Sequence, residues 1–491
     1  MELDPAACYR AFASRDRRFD GRFFAAVLST GIYCRPGCPA RLPRPRNVRF
    51  FACAAAAEEA GFRPCLRCRP ETAPGSPAWL GTSATASRAL RLIADGQLDH
   101  GGVGSLAARL GVGARHLRRL FAAHVGASPL AVAGTRRAHF ARRLLDETDL
   151  PMSEIAVAAG FGSTRRFNHA IRDTFRRTPG ELRRARGRQP HADGAEGLAL
   201  RLPCRPPLDW DAMLAFLGAR AIPGVEAVED GAYRRTIEVD GVRGSLEARA
   251  LPGEHALALR LRLSAPRELI GVAERAGRLF DLHADTAAIA AHLARDPLLR
   301  RALAGRAVRV PSAWDPFELA VRAVLGQQVS VRGAVTLAGR LVRACGAPLA
   351  AGGGLTHLFP SPARLAEADL AKIGLTRARA RALRALATAV RDRTLRFDSL
   401  STLEEAVAKL AALPGIGAWT AHVVAMRALG EPDAFPAGDL GVRRALARGG
   451  ELPSARAVEA RAEAWRPWRA YAVMALWTRG GASHRLRKES R

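Results

Sequence analysis

Apolar residues recur at three- and four-residue spacing through two long stretches, about 87–182 and from Ala265 to near the end, the period of helices with one buried face. In SLAARLGVGARHLRRLFAAHVG, residues Leu106, Leu110, Leu117, Leu120 and Phe121 fall on one side, with Gly111 at the turn between two helices. SEIAVAAGFGSTRRFNHAIRDTFRRTPGELR repeats the scheme with Ile155, Ala159, Phe161, Phe167, Ile171 and Phe175, and with Gly160 at the turn. From Leu198 to about Leu263 apolar positions tend instead to alternate, and Val239-Asp240-Gly241-Val242 sets a tight-turn dipeptide between the strand-like runs TIEV and VRGSLEARAL. Two stretches lose periodicity and gather Pro, Gly, Ser and charge, at 71–86 and 183–197, and read as linkers. The pattern predicts a multidomain, mainly α chain. Its parts are a small α/β domain at 1–75, an all-α double helix-turn-helix at 84–186, an α+β subdomain at 198–285 and an all-α domain at 286–482.

At 491 residues each part is long enough to bury its own core. The excess of 76 basic over 46 acidic side chains leaves +30, which favours a polyanionic partner through counterion release and puts nucleic acid first. An arginine-biased base composition does not explain this. It exchanges lysine for arginine without creating net charge, although only Lys372, Lys409 and Lys488 are lysines. The start, MELDPAACYRAFASRDRRFDG, lacks the apolar core of a secretory signal, and no run approaches about eighteen apolar residues, so a cytoplasmic, nucleoid-associated protein without membrane contact is expected. Eight cysteines in a reducing compartment are better suited to metal binding or nucleophilic chemistry than to disulfides. Within 84–186, 18 arginines face 8 acidic residues. The predicted helices leave Arg115, His116, Arg118 and Arg119, then Thr164, Arg165, Arg166, Asn168, His169 and Arg172, for solvent or a nucleic-acid groove.

Cys34-Arg35-Pro36-Gly37-Cys38 and Cys65-Leu66-Arg67-Cys68 form a CxxxC…CxxC pattern suited to tetrahedral zinc, and a purely structural ion accounts for that spacing as well as a reactive one. Four thiolates on a divalent ion leave about −2, so a bound sulfur stays nucleophilic, and methylating one would weaken repulsion from a phosphate backbone. Cys8, Cys53, Cys204 and Cys345 are isolated and carry no assigned role. Leu413-Pro414-Gly415-Ile416-Gly417 has the glycines of a helix-hairpin-helix turn that offers backbone amides to a phosphate, and ordinary helix ends use such turns too. Taken alone, Asp439 reads as a helix N-cap, and Trp419 and Trp477 as core aromatics.

Three resemblances sharpen this picture. TGIYCRPGCPAR with GFRPCLRC resembles the N-terminal domain of the Ada adaptive-response family over about residues 3–70. That resemblance implies one Zn2+ on Cys34, Cys38, Cys65 and Cys68, no organic cofactor, and irreversible capture by Cys34 of a methyl group from a DNA methylphosphotriester. AAGFGSTRRFNHAIRDTFRRTPGELR resembles the AraC-type DNA-binding domain, whose two recognition helices enter successive major grooves. It implies promoter DNA met through Arg115, Arg118, Arg119, Thr164, Arg165, Arg166 and His169, with RNA polymerase as a further partner.

VRAVLGQQVSVRGAVTLAGRL, LPGIGAWTAHVVAMRALGEPDAFPAGDLGVRRAL and WRPWRAYAVMALW resemble AlkA-type DNA-3-methyladenine glycosylases of the helix-hairpin-helix superfamily, from about Leu198 to Thr478. The resemblance implies base excision from double-stranded DNA carrying alkylated bases, with Asp439 as the catalytic carboxylate and Trp419 and Trp477 in the base pocket. Gln328 would fill the gap left by the flipped base, and Gly415 and Gly417 would approach a phosphate. One carboxylate is enough because an N-alkylated purine already carries positive charge and leaves without much protonation. Trp419 stands where bifunctional relatives carry a Schiff-base lysine, which implies a monofunctional enzyme, and Val423 stands where well-studied relatives have tyrosine, which bears on substrate range. The competing reading is an AraC-class regulator whose glycosylase fold only binds DNA. A nuclease or integrase is disfavoured for want of clustered carboxylates. No Pro-Cys-His motif occurs, so direct O6-alkylguanine repair is not expected.

Overall fold

The computed structural model describes residues 3–73, 84–99, 101–185, 197–400, 402–447 and 449–478. Both expected linkers, and the expected domain limits at 1–2, 74–75, 186 and 479–482, lie wholly or partly outside the described residues. The chain divides into two compact units, Met1–Arg205 with Glu238–Gly277 and Pro206–Ile237 with Arg278–Arg491. The architecture is mostly helical with small sheets.

The first unit opens with the helix Pro5–Ala13, started by a proline and capped by Asp4, whose carboxylate accepts the Ala6 N–H. Four short strands follow: β1 (Phe24–Val27), β2 (Ile32–Cys34), β3 (Val48–Phe51) and β4 (Arg63–Pro64), in the order β3-β1-β2-β4. Successive strand residues face opposite sides, so Tyr33 packs with Phe24, Ala26 and Ala57 while Cys34 turns to the face that holds Phe12 and Ala25. Parallel pairing of β2 with β4 then sets Cys65 just past β4, where its N–H donates to the Tyr33 carbonyl at 3.0 Å.

Helices Val103–Arg109 and Ala114–His124, then Met152–Ala158 and Thr164–Phe175, are the two helix-turn-helix pairs, joined by Pro129–Glu147. Gly111 and Gly160 sit at φ of 69° and 80°, the left-handed conformation each turn requires. Leu117, Phe121, Phe167, Ile171 and Phe175 are fully buried, whereas Leu120 and Phe161 are only half-buried. Strands Leu198–Pro203 and Val242–Ala250 both pair antiparallel with Ala256–Leu263. Asp240 and Gly241 both have positive φ, at 46° and 78°, as a two-residue type I′ turn demands.

In the second unit, helices Pro316–Leu325, Val331–Cys345, Arg377–Arg391, Leu403–Ala411 and Ala418–Arg427 surround a core that includes Val321, Leu325, Leu341, Leu386, Leu410, Ile416 and Val424. Arg235 pairs with Glu318 at 2.7 Å, and Arg322 binds both Glu318 and Glu226, in a buried network in which each charge depends on its partners. The short helix Leu440–Leu446 and the helix at 469–478 close one side. Among the described residues no helix is long and apolar enough to cross a membrane.

Candidate functional sites

The sulfurs of Cys34, Cys38, Cys65 and Cys68 lie within 4.8 Å of one another and all four residues are buried. A tetrahedral zinc–thiolate site, with zinc–sulfur bonds of about 2.3 Å, needs sulfurs about 3.8 Å apart, so the donor set and its spacing fit this ion. The loop between the first two cysteines is fixed by buried Asp20, which accepts the Gly37 N–H at 2.8 Å and pairs with Arg35 at 3.2 Å. Burial pushes the Asp20 carboxyl up, against the pull of those two partners. A side chain at position 37 would stand 2.6 Å from Arg17 Cγ, so only glycine fits without displacing that chain.

Behind β2, the Tyr33 hydroxyl donates to Glu58 at 2.8 Å, and the same carboxylate is met by His139 at 2.8 Å and by Thr135 at 2.5 Å, both on the helix between the two helix-turn-helix pairs. Glu59 accepts the Ser128 N–H and hydroxyl at the start of that helix. Sequence reasoning missed these contacts, because AAAAEE carries no motif and the partners lie up to 81 residues away.

Arg115, Arg118 and Arg119 on Ala114–His124, and Thr164, Arg165, Arg166 and His169 on Thr164–Phe175, are all exposed. His169 pairs with Asp173 at 2.8 Å and Arg119 meets His116 at 3.1 Å.

Asp439 is the N-cap of Leu440–Leu446, its Oδ1 accepting the Val442 N–H at 2.9 Å. It is more than a cap. The Trp477 indole donates to the same Oδ1 at 2.8 Å, and the Trp419 indole donates to Oδ2 at 2.9 Å. Both tryptophans are half-buried and Asp439 is only 8% exposed, so the three residues form a carboxylate-centred cluster with its two rings not sealed in the core. Val423, by contrast, is 6% exposed and packs in the helical core.

In the hairpin, Gly415 lies at φ 75° and a Cβ there would be 2.7 Å from that of Ala382. Gly417 is ordinary extended backbone facing open space at the N-terminus of Ala418–Arg427, whose first-turn N–H groups have no partner within the helix. Gln328 is exposed, at φ 53°, outside the packed core. Lys409 is ion-paired to Glu405 at 2.7 Å. Two polar residues that sequence reasoning did not single out support these parts. His422 Nδ1 accepts the Phe435 N–H at 3.3 Å, and burial followed by the Arg469 charge holds its imidazole below the usual range, hence neutral. Gln327 braces the loop that carries Gln328.

Four family models match the chain: the metal binding domain of Ada at 7–71, a helix-turn-helix domain at 106–185, the AlkA N-terminal domain at 199–315 and the HhH-GPD superfamily of base excision DNA repair proteins at 321–470. The chain is 48% identical over 483 residues, 97% of each partner, to a protein of Mycobacterium tuberculosis described as a probable bifunctional transcriptional activator/DNA repair enzyme AlkA. It is 36% identical over 278 residues, 56% of this chain and 94% of the relative, to the DNA-3-methyladenine glycosylase 2 of Escherichia coli. The 3-methyladenine DNA-glycosylase structure from Archaeoglobus fulgidus superimposes with a TM-score of 0.51 at 26% identity, covering 57% of this chain and 98% of that one.

Proposed function

The chain belongs to the family of bifunctional transcriptional activator/DNA repair enzymes, and from that premise we propose how its residues divide the work. The protein is a DNA-3-methyladenine glycosylase joined to a zinc-binding methyl acceptor and a helix-turn-helix regulator.

Excision centres on Asp439. The observation that carries this reading is the hydrogen bonding of its carboxylate: Oδ1 takes two donors, from Trp477 and Val442, while among the described residues Oδ2 takes only the Trp419 indole. Each carboxylate oxygen has two lone pairs, so Oδ2 keeps one for the reacting sugar. With the damaged base flipped from the stack, this anion stabilises the oxocarbenium-like sugar and orients the attacking water. Fixed by three N–H groups and largely shielded from water, the charge needs little reorganisation as the bond breaks. The faces of Trp419 and Trp477 receive the electron-poor base by stacking. The hairpin at Gly415 and Gly417 binds a phosphate, and Gln328 fills the emptied stack. With Trp419 in the hairpin and Lys409 engaged by Glu405, base release proceeds without strand cleavage.

Cys34, Cys38, Cys65 and Cys68 hold one zinc ion, which keeps its sulfur ligands as thiolates at neutral pH. Cys34 attacks the methyl carbon of a methylphosphotriester, forming S–CH3 and breaking O–CH3, so that the phosphate regains its negative charge. The sensor is thereby consumed, whereas Asp439 is regenerated. Arg115, Arg118 and Arg119 and the set Thr164, Arg165, Arg166 and His169 meet promoter DNA in the cytoplasm, where the regulator engages RNA polymerase.

The reading is tested by incubating purified protein with methylated DNA. Free 3-methyladenine with no borohydride-trapped protein–DNA adduct is expected. Damage binding without base release would support a regulator whose glycosylase fold only binds DNA.

A further inference from the structure

Gln328 is an exposed side chain on a backbone at φ 53°, a conformation that a non-glycine residue keeps only when its surroundings enforce it. The enforcing contacts come through the preceding residue. Gln327 Nε2 donates to the Gly415 carbonyl at 2.9 Å and to the Thr420 hydroxyl at 2.9 Å. Its two amide hydrogens account for both bonds. The Gln327 carbonyl accepts from Arg379 at 2.5 Å, and Ser330 caps the next helix through the Gly333 N–H at 3.1 Å. The loop 326–330 is thus tied at once to the hairpin turn, to the residue following Trp419 and to the helix Arg377–Arg391.

We propose that Gln327 is a positioning residue for base extrusion: its amide transmits seating of the hairpin on a phosphate to the loop that drives Gln328 into the duplex. The proposal rests on the wedge reading of Gln328 and adds a second residue to it. A hairpin seated on the backbone fixes the Gly415 carbonyl. That carbonyl and Thr420 together orient the Gln327 amide, which leaves Gln328 a single direction, away from the protein. Gln327→Ala removes both bonds. Gln327→Glu replaces the donor with an acceptor facing the Gly415 carbonyl and should be the more harmful of the two. Thr420→Val keeps the buried volume and removes one acceptor, and it serves as the milder probe if a Gln327 variant folds poorly.

The test is single-turnover base release from two duplexes, one with the alkylated base paired and one with it opposite an abasic site, where extrusion costs little. Gln327→Ala should lose roughly 10–100-fold on the paired substrate and under about 3-fold on the unpaired one, and Thr420→Val should show a smaller loss with the same preference. 2-Aminopurine beside the lesion should report less extrusion in both variants. Equal losses on the two duplexes, or no loss on either, would overturn the proposal. Gln328→Ala, run in parallel, separates the two ideas. If it spares the paired substrate, the wedge reading fails. If it alone shows the paired-specific loss while Gln327→Ala does not, the wedge stands and the brace falls.

Discussion

The indole of Trp477 donates to Oδ1 of Asp439 at 2.8 Å across 38 residues of sequence, so this ring orients the carboxylate proposed for excision. Trp477→Phe keeps an aromatic face and removes the N–H. A lost hydrogen bond to a charged group should slow the single-turnover rate roughly 10–100-fold, with damaged-DNA affinity held within about threefold. Trp419→Phe should act in the same direction through Oδ2. Loss of affinity with an unchanged rate would mean that the rings serve stacking alone.

Cys34→Ala should abolish transfer of labelled methyl groups from methylated DNA to protein, where the wild type takes up about one per chain, since the thiolate is the nucleophile. The readout is protein-bound label after digestion of the DNA. Continued stoichiometric uptake would move the acceptor to another cysteine.

Glu58 satisfies the hydroxyls of Tyr33 and Thr135 and the His139 ring together. Burial would raise its carboxyl, but His139, Thr135 and Tyr33 together outweigh that and hold it low. Glu58→Ala removes the shared acceptor, leaves the buried Tyr33 hydroxyl and the half-buried His139 ring only their 3.1 Å contact with each other, and should destabilise the first unit by about 1–3 kcal/mol, with Glu58→Gln milder. Thermal unfolding of the variants checks this, and an unshifted transition would show the network to be dispensable.

These relationships also mark what was legible in the sequence. The four cysteines, the glycines at the turns and the cap-like Asp439 announce themselves through short spacings and obligatory backbone conformations. The indole bonds to Asp439, the Gln327 brace and the Glu58 cluster join residues 20 to 93 apart. No local period encodes such pairings, and only the tertiary fold brings them together. The two hairpin glycines looked equivalent as a motif. Packing against Ala382 separates Gly415, required by its conformation, from Gly417, which faces open space. Val423 stood out as a missing ring, yet its side chain belongs to the helical core.

Asp281 supplies a pH dependence. Burial pushes its carboxyl up to about 6, despite Arg309, the Val310 N–H and the Tyr471 hydroxyl, which pull it down. An acid whose folded value exceeds its unfolded one binds more protons when folded. Its contribution to stability is therefore present below about pH 4 and is lost as pH rises through about 6. Unfolding of the second unit should need more denaturant at pH 5.5 than at 7.5, and Asp281→Asn should flatten that component. A wild-type slope of opposite sign that Asp281→Asn removes would contradict the assignment.

The most direct test of the account compares wild-type protein with Asp439→Asn for free 3-methyladenine released from methylated duplex DNA, with binding to the same DNA measured alongside. The account predicts that Asp439→Asn keeps binding and loses excision by at least about 100-fold, because the charge that stabilises the transition state is gone while the side chain's shape remains. Near-wild-type base release from Asp439→Asn would contradict it.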